Sequence, residues 1–187
     1  MDKKPQLSYT GRMKRVMMRD FYWLGKPEIW KKDYRELSLV VESGTNLPDG
    51  PLLLCVSDED FSCRMDITVA PDQGSCGICL YHSEQSFSAV GLSANQLKVF
   101  TTIQGFTTTT TIPLQNTLQK ATWHLERKGE QFRIGYGLQE NNTVLWVCDT
   151  SLPGMQHAVS FGPFFTNNSP VSYTAIMKDL VYKKSVL

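Results

Sequence analysis

Hydrophobic and polar residues alternate with a period of about two through much of the chain. In one segment the apolar residues fall at every second position: Cys63, Met65, Ile67 and Val69. Because successive side chains of a strand point to opposite faces, this pattern predicts strands with one buried and one exposed face. Similar runs of alternating, β-branched or aromatic residues lie at 36–42, 76–81, 87–92, 97–103, 106–112, 123–126, 132–136, 144–148, 158–165 and 172–182.

Segments rich in turn residues separate these runs at intervals of roughly 8–12 residues. One such segment is 44–50, which contains Asn46, Pro48 and Asp49, and another is 128–130. No long segment has the period of an amphipathic helix. About eleven or twelve short strands joined by such turns predict an all-β sandwich or barrel.

The pattern continues without an internal repeat or an interdomain linker, and 187 residues is a length that one all-β domain can reach. We therefore predict one domain over 20–187. A basic arm over 1–19 precedes it, in which Lys14, Arg15 and Arg19 cluster without a clear period. A domain of this length buries roughly 70% of its unfolded surface, so it needs neither a metal nor a disulfide to fold.

The composition restricts the class of partner. Hydrophobic residues make up 41% of the chain and charged residues 20%, as in ordinary globular proteins, and the formal net charge is +1. This charge provides no field to attract nucleic acid or a membrane surface, so we expect neither as a partner. The N-terminal residues show no secretory signal and no segment is apolar over a bilayer's thickness, which predicts a cytoplasmic protein.

The five cysteines are an odd number: Cys55, Cys63, Cys76, Cys79 and Cys148. In a cytoplasmic protein of this length we expect reduced and mostly buried thiols. Cys76 and Cys79 form a C-x-x-C pair, but they lie in an apolar strand-like run, where positions i and i+3 point to opposite faces. The other cysteines show no matching spacing, so we assign no metal ligand, and nothing in the sequence indicates a cofactor.

No complete catalytic motif is present, and we assign no catalytic residue. The consecutive carboxylates Asp58-Glu59-Asp60 would point to alternating faces of a strand, so they indicate an acidic turn rather than the paired carboxylates of a glycosidase. The histidines at positions 82, 124 and 157 share no spacing with a serine or cysteine nucleophile. His124 shares a strand face with Glu126, which fits either an acid–base pair or a hydrogen-bonded pair on an exposed sheet face.

Two stretches resemble a known family. The first is Ser75-Cys76-Gly77-Ile78-Cys79-Leu80-Tyr81 with the runs 87–92 and 97–99, and the second is 123–129 with 132–136. Together with a closing strand over 173–182, they resemble the concanavalin A-like domain that follows the catalytic propeller in family 43 glycoside hydrolases of the beta-xylosidase type. Related stand-alone domains of unknown function are also similar. The resemblance covers residues 60–182 and implies an all-β fold, a two-sheet antiparallel concanavalin A-like jelly-roll sandwich.

The sequence departs from this family at two positions. The turn before Trp146 is Gln139-Glu140-Asn141-Asn142, where the family usually has serine, aspartate and glycine, and Cys76-Gly77-Ile78 replaces an Ala-Gly-Leu segment. We expect no catalytic propeller to accompany the domain. The resemblance therefore implies an accessory role exercised in trans, or one that has been replaced.

The resemblance also implies a ligand on one sheet face, where sugar recognition requires aromatic rings and planar polar groups. If the apolar strand residues face the core, the polar residues between them share the opposite face: Arg64, Asp66, His124, Glu126 and Arg133. We predict that this face, with Trp23 and Trp30, binds an oligosaccharide without cleaving it. The alternatives are cross-strand charge pairs on a solvated face, and two tryptophans that seal one end of the sandwich.

Two other functions fit the same sequence. One is a structural or protein-interaction domain that meets a partner through this face or through an exposed sheet edge. The other is a glycoside hydrolase whose cleft no motif reveals. The sequence makes no prediction about the oligomeric state.

Overall fold

A computed structural model describes residues 20–137, 143–151 and 158–184. The predicted basic arm over 1–19 and His157 lie outside the described residues. Among the residues that are described, no helix is long and apolar enough to cross a membrane. Most of the described residues belong to β-strands. Their bounds are β1 Tyr22–Leu24, β2 Trp30–Lys32, β3 Glu36–Val41, β4 Leu52–Ser57, β5 Phe61–Thr68, β6 Gly74–Ser83, β7 Ser86–Leu92, β8 Gln96–Ile103, β9 Phe106–Pro113, β10 Lys120–Lys128, β11 Gln131–Gly137, β12 Val144–Thr150, β13 Val159–Asn167 and β14 Tyr173–Lys184.

These strands form two seven-stranded sheets. The first sheet has the order β1-β4-β13-β6-β7-β8-β9, and the second has the order β12-β11-β10-β5-β14-β3-β2. Neighbouring strands in both sheets are antiparallel. This confirms the predicted two-sheet antiparallel sandwich. Three of the observed strands were not predicted from the sequence. β1 and β2 are short. β4, with the sequence Leu-Leu-Leu-Cys-Val-Ser, shows no alternation because nearly all of it is buried.

The space between the sheets is filled by the side chains that the period-two pattern assigns to the core. The inward-facing residues of β10 and β11 are all buried: Trp123, Leu125, Phe132, Ile134 and Tyr136. Phe61 stacks on Phe161 with ring centroids 4.5 Å apart, and on Tyr182 with centroids 5.2 Å apart. Burial of this apolar surface is the main driving force that holds the two sheets together.

A second apolar cluster lies on the outer face of the first sheet. Its buried members are Leu52, Leu54, Cys79, Phe87, Ala89 and Phe164. Leu47, in the loop between β3 and β4, and Phe100 of β8 pack against it and are only partly buried. The first sheet is therefore apolar on both faces, and the outer cluster provides the floor of the groove described below.

The five cysteines are free thiols, four of them buried and Cys148 half-buried. Cys76 belongs to the core between the sheets and Cys79 to the outer cluster, which confirms that the C-x-x-C pair points to opposite faces. Burial raises the pKa of Cys55 and of Cys76 to about 12. These thiols are therefore protonated at neutral pH.

Candidate functional site

The polar residues that were predicted to share a strand face do so, on the outer side of the second sheet. His124 of β10 lies opposite Arg64 of β5, and Glu126 lies opposite Arg133 of β11. Asp66 is two residues from Arg64 on β5, so it lies on the same face. We call these five residues the polar patch. Their predicted role in binding a ligand stays a prediction.

Trp146 adjoins the polar patch and was missed by the sequence prediction. It lies opposite Gly135, where a Cβ atom would come within 2.9 Å of the ring atom Cε3. The Arg133 guanidinium lies over the same ring, with Cζ 4.0 Å from the centroid, which is a cation–π contact. The ring is therefore already engaged by its own sheet, which leaves it less able to stack on a sugar.

Three side chains of the polar patch have partners on neighbouring strands. Arg133 lies 3.6 Å from Glu126 and 3.9 Å from Asp149 of β12. Asp66 accepts a hydrogen bond of 2.7 Å from the hydroxyl of Thr122. These contacts are the cross-strand pairs that the alternative interpretation of this face predicts, and exposed pairs of this kind contribute roughly 0.2–1 kcal/mol each.

His124 has a depressed pKa. Burial is the main cause and the positive charge of Arg64 adds to it, whereas the carboxylates of Glu126 and Asp66 act in the opposite direction. Its ring meets that of Trp146 edge to face, with centroids 6.4 Å apart. The neutral imidazole is thus favoured in the folded protein, as in a hydrogen-bonded or packed residue of a sheet face.

Trp23 and Trp30 do not join the polar patch. They lie on β1 and β2, the end strands of the two sheets, and their rings meet at a centroid distance of 5.8 Å and an angle of 67°. The ammonium of Lys26 lies 5.3 Å from the Trp30 ring. The two tryptophans thus bridge one open side of the sandwich, as the sealing alternative predicts.

The acidic segment 58–60 connects β4 to β5, as predicted for a turn. Glu59 forms an ion pair of 2.6 Å with Lys184, and Asp60 accepts a hydrogen bond of 2.7 Å from the backbone N–H of Gly129. Among the described residues, no group of three or more histidine, cysteine, aspartate or glutamate side chains is arranged to hold a metal ion.

A groove of about 510 Å³ lies on the outer face of the first sheet. Sequence reasoning did not assign it. Its walls and floor come from three adjacent strands, from β13 and from the β3–β4 loop, and the residues that line it are Asn46, Leu47, Phe87, Lys98, Phe100, Thr107, Thr109, Thr111, Thr166 and Asn168. The volume of the groove is within the range of about 300–1,000 Å³ that is usual for small-molecule sites.

The floor of the groove is aromatic because β7 and β8 turn every second side chain outward. Phe100 is half-buried, and it meets the fully buried Phe164 edge to face with centroids 6.0 Å apart. Phe87 is 2% exposed and belongs to the same cluster. The floor is therefore held rigidly, and part of the Phe100 ring remains open to the groove.

One wall of the groove is a row of threonine hydroxyls. Thr107, Thr109 and Thr111 of β9 lie opposite Thr102, Phe100 and Lys98 of β8, so all six side chains share the groove face. The Thr107 and Thr102 hydroxyls are 2.7 Å apart and form a hydrogen bond. Thr109 and Thr111 are exposed. Their hydroxyls are both donors and acceptors, so they can bond to a ligand hydroxyl of either orientation.

Lys98 supplies the positive charge of the groove. Its ammonium lies 3.5 Å from the carbonyl oxygen of Gly74, and burial lowers the pKa of the group while Asp72 partly opposes this shift. An ammonium has three N–H donors, so this long contact leaves donors for a ligand. No aspartate or glutamate is among the described residues that line the groove.

The fold is similar to that of several solved structures. A functionally unknown protein from Saccharomyces cerevisiae matches with a TM-score of 0.79 over 91% of this chain and 100% of its own, at 13% identity. The GH43 BlXynB protein from Bacillus licheniformis matches with a TM-score of 0.74 over 97% of this chain, at 13% identity. The chain spans 41% of the length of that protein.

The carbohydrate binding module CBM66 from Bacillus subtilis is a more distant match. Its TM-score is 0.51 over 88% of this chain and 96% of its own, at 14% identity. No family model and no curated protein matches the sequence. These likenesses confirm the predicted resemblance to the sandwich domain of GH43 proteins at the level of the fold.

Proposed function

We propose that the chain is a non-catalytic carbohydrate-binding domain whose ligand lies in the groove on the outer face of the first sheet. The observation that carries the proposal is the composition of the groove, an aromatic floor between walls of hydroxyl and amide groups. Proteins of the same fold support it, since they include a GH43 protein and a carbohydrate binding module.

The groove offers the two kinds of contact that a sugar requires. The exposed part of the Phe100 ring can pack against the apolar C–H face of a pyranose or furanose ring. Thr109, Thr111 and the amides of Asn46 and Asn168 can exchange hydrogen bonds with hydroxyl groups around that ring. Lys98 favours an electron-rich oxygen, and an acidic sugar most strongly.

The groove lacks the groups that would cleave a glycosidic bond. Most glycosidases use two carboxylates, about 5–5.5 Å or 6.5–9.5 Å apart, one on each side of the bond. The described lining contains hydroxyls, amides and one ammonium instead. A bound sugar would therefore be held without being hydrolysed.

The groove is a better site than the polar patch for two physical reasons. In the polar patch Glu126 and Arg133 already form an ion pair with each other, and the adjoining Trp146 ring is covered by Arg133. A ligand there would have to replace these contacts, whereas in the groove it would replace water. The polar patch remains the alternative sugar site and is tested in the same experiment.

The proposal can be tested by calorimetric titration with xylo-, arabino- and gluco-oligosaccharides, and with an acidic oligosaccharide, up to millimolar concentration. Thr109→Val keeps the shape of an exposed side chain and removes its hydroxyl, so it should weaken binding roughly two- to ten-fold. Phe100→Leu removes the ring while filling most of its volume, and it should weaken binding more.

Variants of the polar patch are the matched controls. Glu126→Gln and Arg133→Met change the opposite face of the molecule and should leave the affinity unchanged. Loss of binding in these variants, with full binding in Thr109→Val and Phe100→Leu, would move the site to the polar patch. Absence of binding to every sugar would refute the proposed function, and appearance of shorter sugars after long incubation would show a hydrolase.

A further inference from the structure

The outer edge of β9 differs from the other three sheet edges. Edge strands of soluble proteins are usually short, bulged, charged or covered, because an open edge pairs with other chains. β1 and β2 have three residues each, and the register of β12 is broken between Ile134 and Gly135. β9 has eight residues, all exposed and none charged, and its register with β8 is unbroken.

The geometry of the β8–β9 hairpin shows which backbone groups of β9 point away from β8. Its turn residues Gln104 and Gly105 have φ angles of 53° and 82°, as in a two-residue type I′ turn. In such a hairpin the flanking residues Ile103 and Phe106 exchange both hydrogen bonds, and bonded and non-bonded pairs then alternate. The residues whose N–H and C=O groups point away from β8 are therefore Thr107, Thr109 and Thr111.

We propose that β9 pairs with β9 of a second copy of this chain, antiparallel and with Thr109 opposite its own counterpart. Thr107 then lies opposite Thr111 of the second copy, and each of the three threonine pairs exchanges two backbone bonds, about six in all. This is isologous two-fold pairing, the commonest arrangement of homodimers.

The side chains of β9 favour this register over its neighbours. Phe106 is 81% exposed and Ile112 46% exposed, and in this register each lies opposite the other in the second copy. Aromatic and β-branched residues form favourable cross-strand pairs. A register centred on Thr108 would place Ile112 opposite Gln104, and one centred on Thr110 would place Pro113, which has no N–H, opposite Thr107.

Pairing through β9 would join the first sheet of one copy to the first sheet of the other, giving one fourteen-stranded sheet. Thr107, Thr109 and Thr111 face the groove in each copy, and directly paired residues share a face, so both grooves would open on the same side. A single pair of strands is a small interface. We therefore expect a dimer that dissociates on dilution rather than an obligate one.

The test is sedimentation velocity of the full chain from micromolar to near-millimolar concentration. The wild type should dimerise reversibly, and Phe106→Lys and Ile112→Glu should each raise the dissociation constant at least about ten-fold. Val171→Lys is the matched control, because Val171 is 69% exposed and lies outside β9, and it should dimerise as the wild type does.

The double variant Phe106→Lys/Ile112→Glu tests the register. The two positions are about 20 Å apart along one strand, so the new charges can pair only between copies, and dimerisation should recover. A protein that stays monomeric at near-millimolar concentration overturns the proposal. So does a dimer that Phe106→Lys and Ile112→Glu leave unchanged, or a double variant weaker than both single variants.

Cross-linking gives a second test of the register. Thr108 lies opposite Thr110 of the second copy in a close pair of about 4.5 Å between Cα atoms. Under mild oxidation a mixture of Thr108→Cys and Thr110→Cys should form a disulfide dimer, and neither variant should do so alone. A disulfide in Thr108→Cys alone would overturn this register. Sugar binding is measured separately, so failure of the dimer and failure of the proposed function are distinguishable.

Discussion

Gly91 tests whether the floor of the groove is as tightly packed as the structure shows. A Cβ atom at this position on β7 would lie 2.6 Å from Cζ of Phe164 and would also overlap the hydroxyl of Ser75. The Ser75 hydroxyl can rotate, but the Phe164 ring is fully buried and packs edge to face against Phe100. Gly91→Ala should therefore displace the aromatic floor.

The size of the effect follows from two opposing contributions. Forcing one extra carbon into a packed core costs about 1–3 kcal/mol. Replacing glycine by alanine stabilises by about 0.4–1 kcal/mol through the unfolded chain. The net loss of unfolding free energy should be about 0–2.6 kcal/mol. For a domain of this size each 1 kcal/mol lowers the melting temperature by about 2–4 °C.

The measurement is urea unfolding followed by tryptophan fluorescence, with Gly137→Ala as the matched control. Gly137 is also a buried strand glycine, but a Cβ there would come no closer than 3.5 Å to any neighbouring atom. This variant should be as stable as the wild type or slightly more stable. Equal stability of Gly91→Ala and Gly137→Ala would refute the packing of the floor.

Three further predictions concern the core, the thiols and the polar patch. Phe61→Ala should lower the unfolding free energy in urea by about 3–5 kcal/mol, and a loss below about 1 kcal/mol would contradict the stacked core. Alkylation of the native protein at pH 8 should modify at most Cys148, and alkylation after unfolding should modify all five cysteines. A disulfide detected by intact mass would contradict the free thiols. Because the pKa of His124 is below its usual 6.5 in the folded state, its contribution to stability is present above pH 6.5 and lost as the pH falls below that value. His124→Gln should reduce the dependence of stability on pH in melting curves measured at several pH values. An unchanged dependence would refute the depressed pKa of His124.

Alternation along single strands was enough to predict the exposed face of the second sheet at β5, β10 and β11. Arg64 and Asp66 alternate with buried residues on β5, and Glu126 and Arg133 do so on β10 and β11, because this sheet has one buried and one exposed face. The shared face of the polar patch therefore follows from sequence. The contact between Trp146 and Gly135 does not, because a bulge sets the register of β12 and local sequence does not specify it.

The groove could not be predicted in the same way. Both faces of β7 are buried, so Phe87 and Ala89 on the outer face look like core residues in the sequence. The threonines of β9 indicate an exposed strand, but only the pairing of Thr109 with Phe100 places them beside an aromatic floor. In the sequence, the signal for the groove face is the apolar run of β7, which does not alternate, and the consecutive threonines of β9 that come after it.

Amide NMR during a sugar titration shows whether a carbohydrate binds in the groove. Binding in the groove should cause concentration-dependent shifts that cluster at Lys98, Phe100, Thr109 and Asn46, and no shifts at Arg64 or Glu126. Shifts confined to the polar patch, or no shifts at millimolar sugar, would refute carbohydrate binding in the groove.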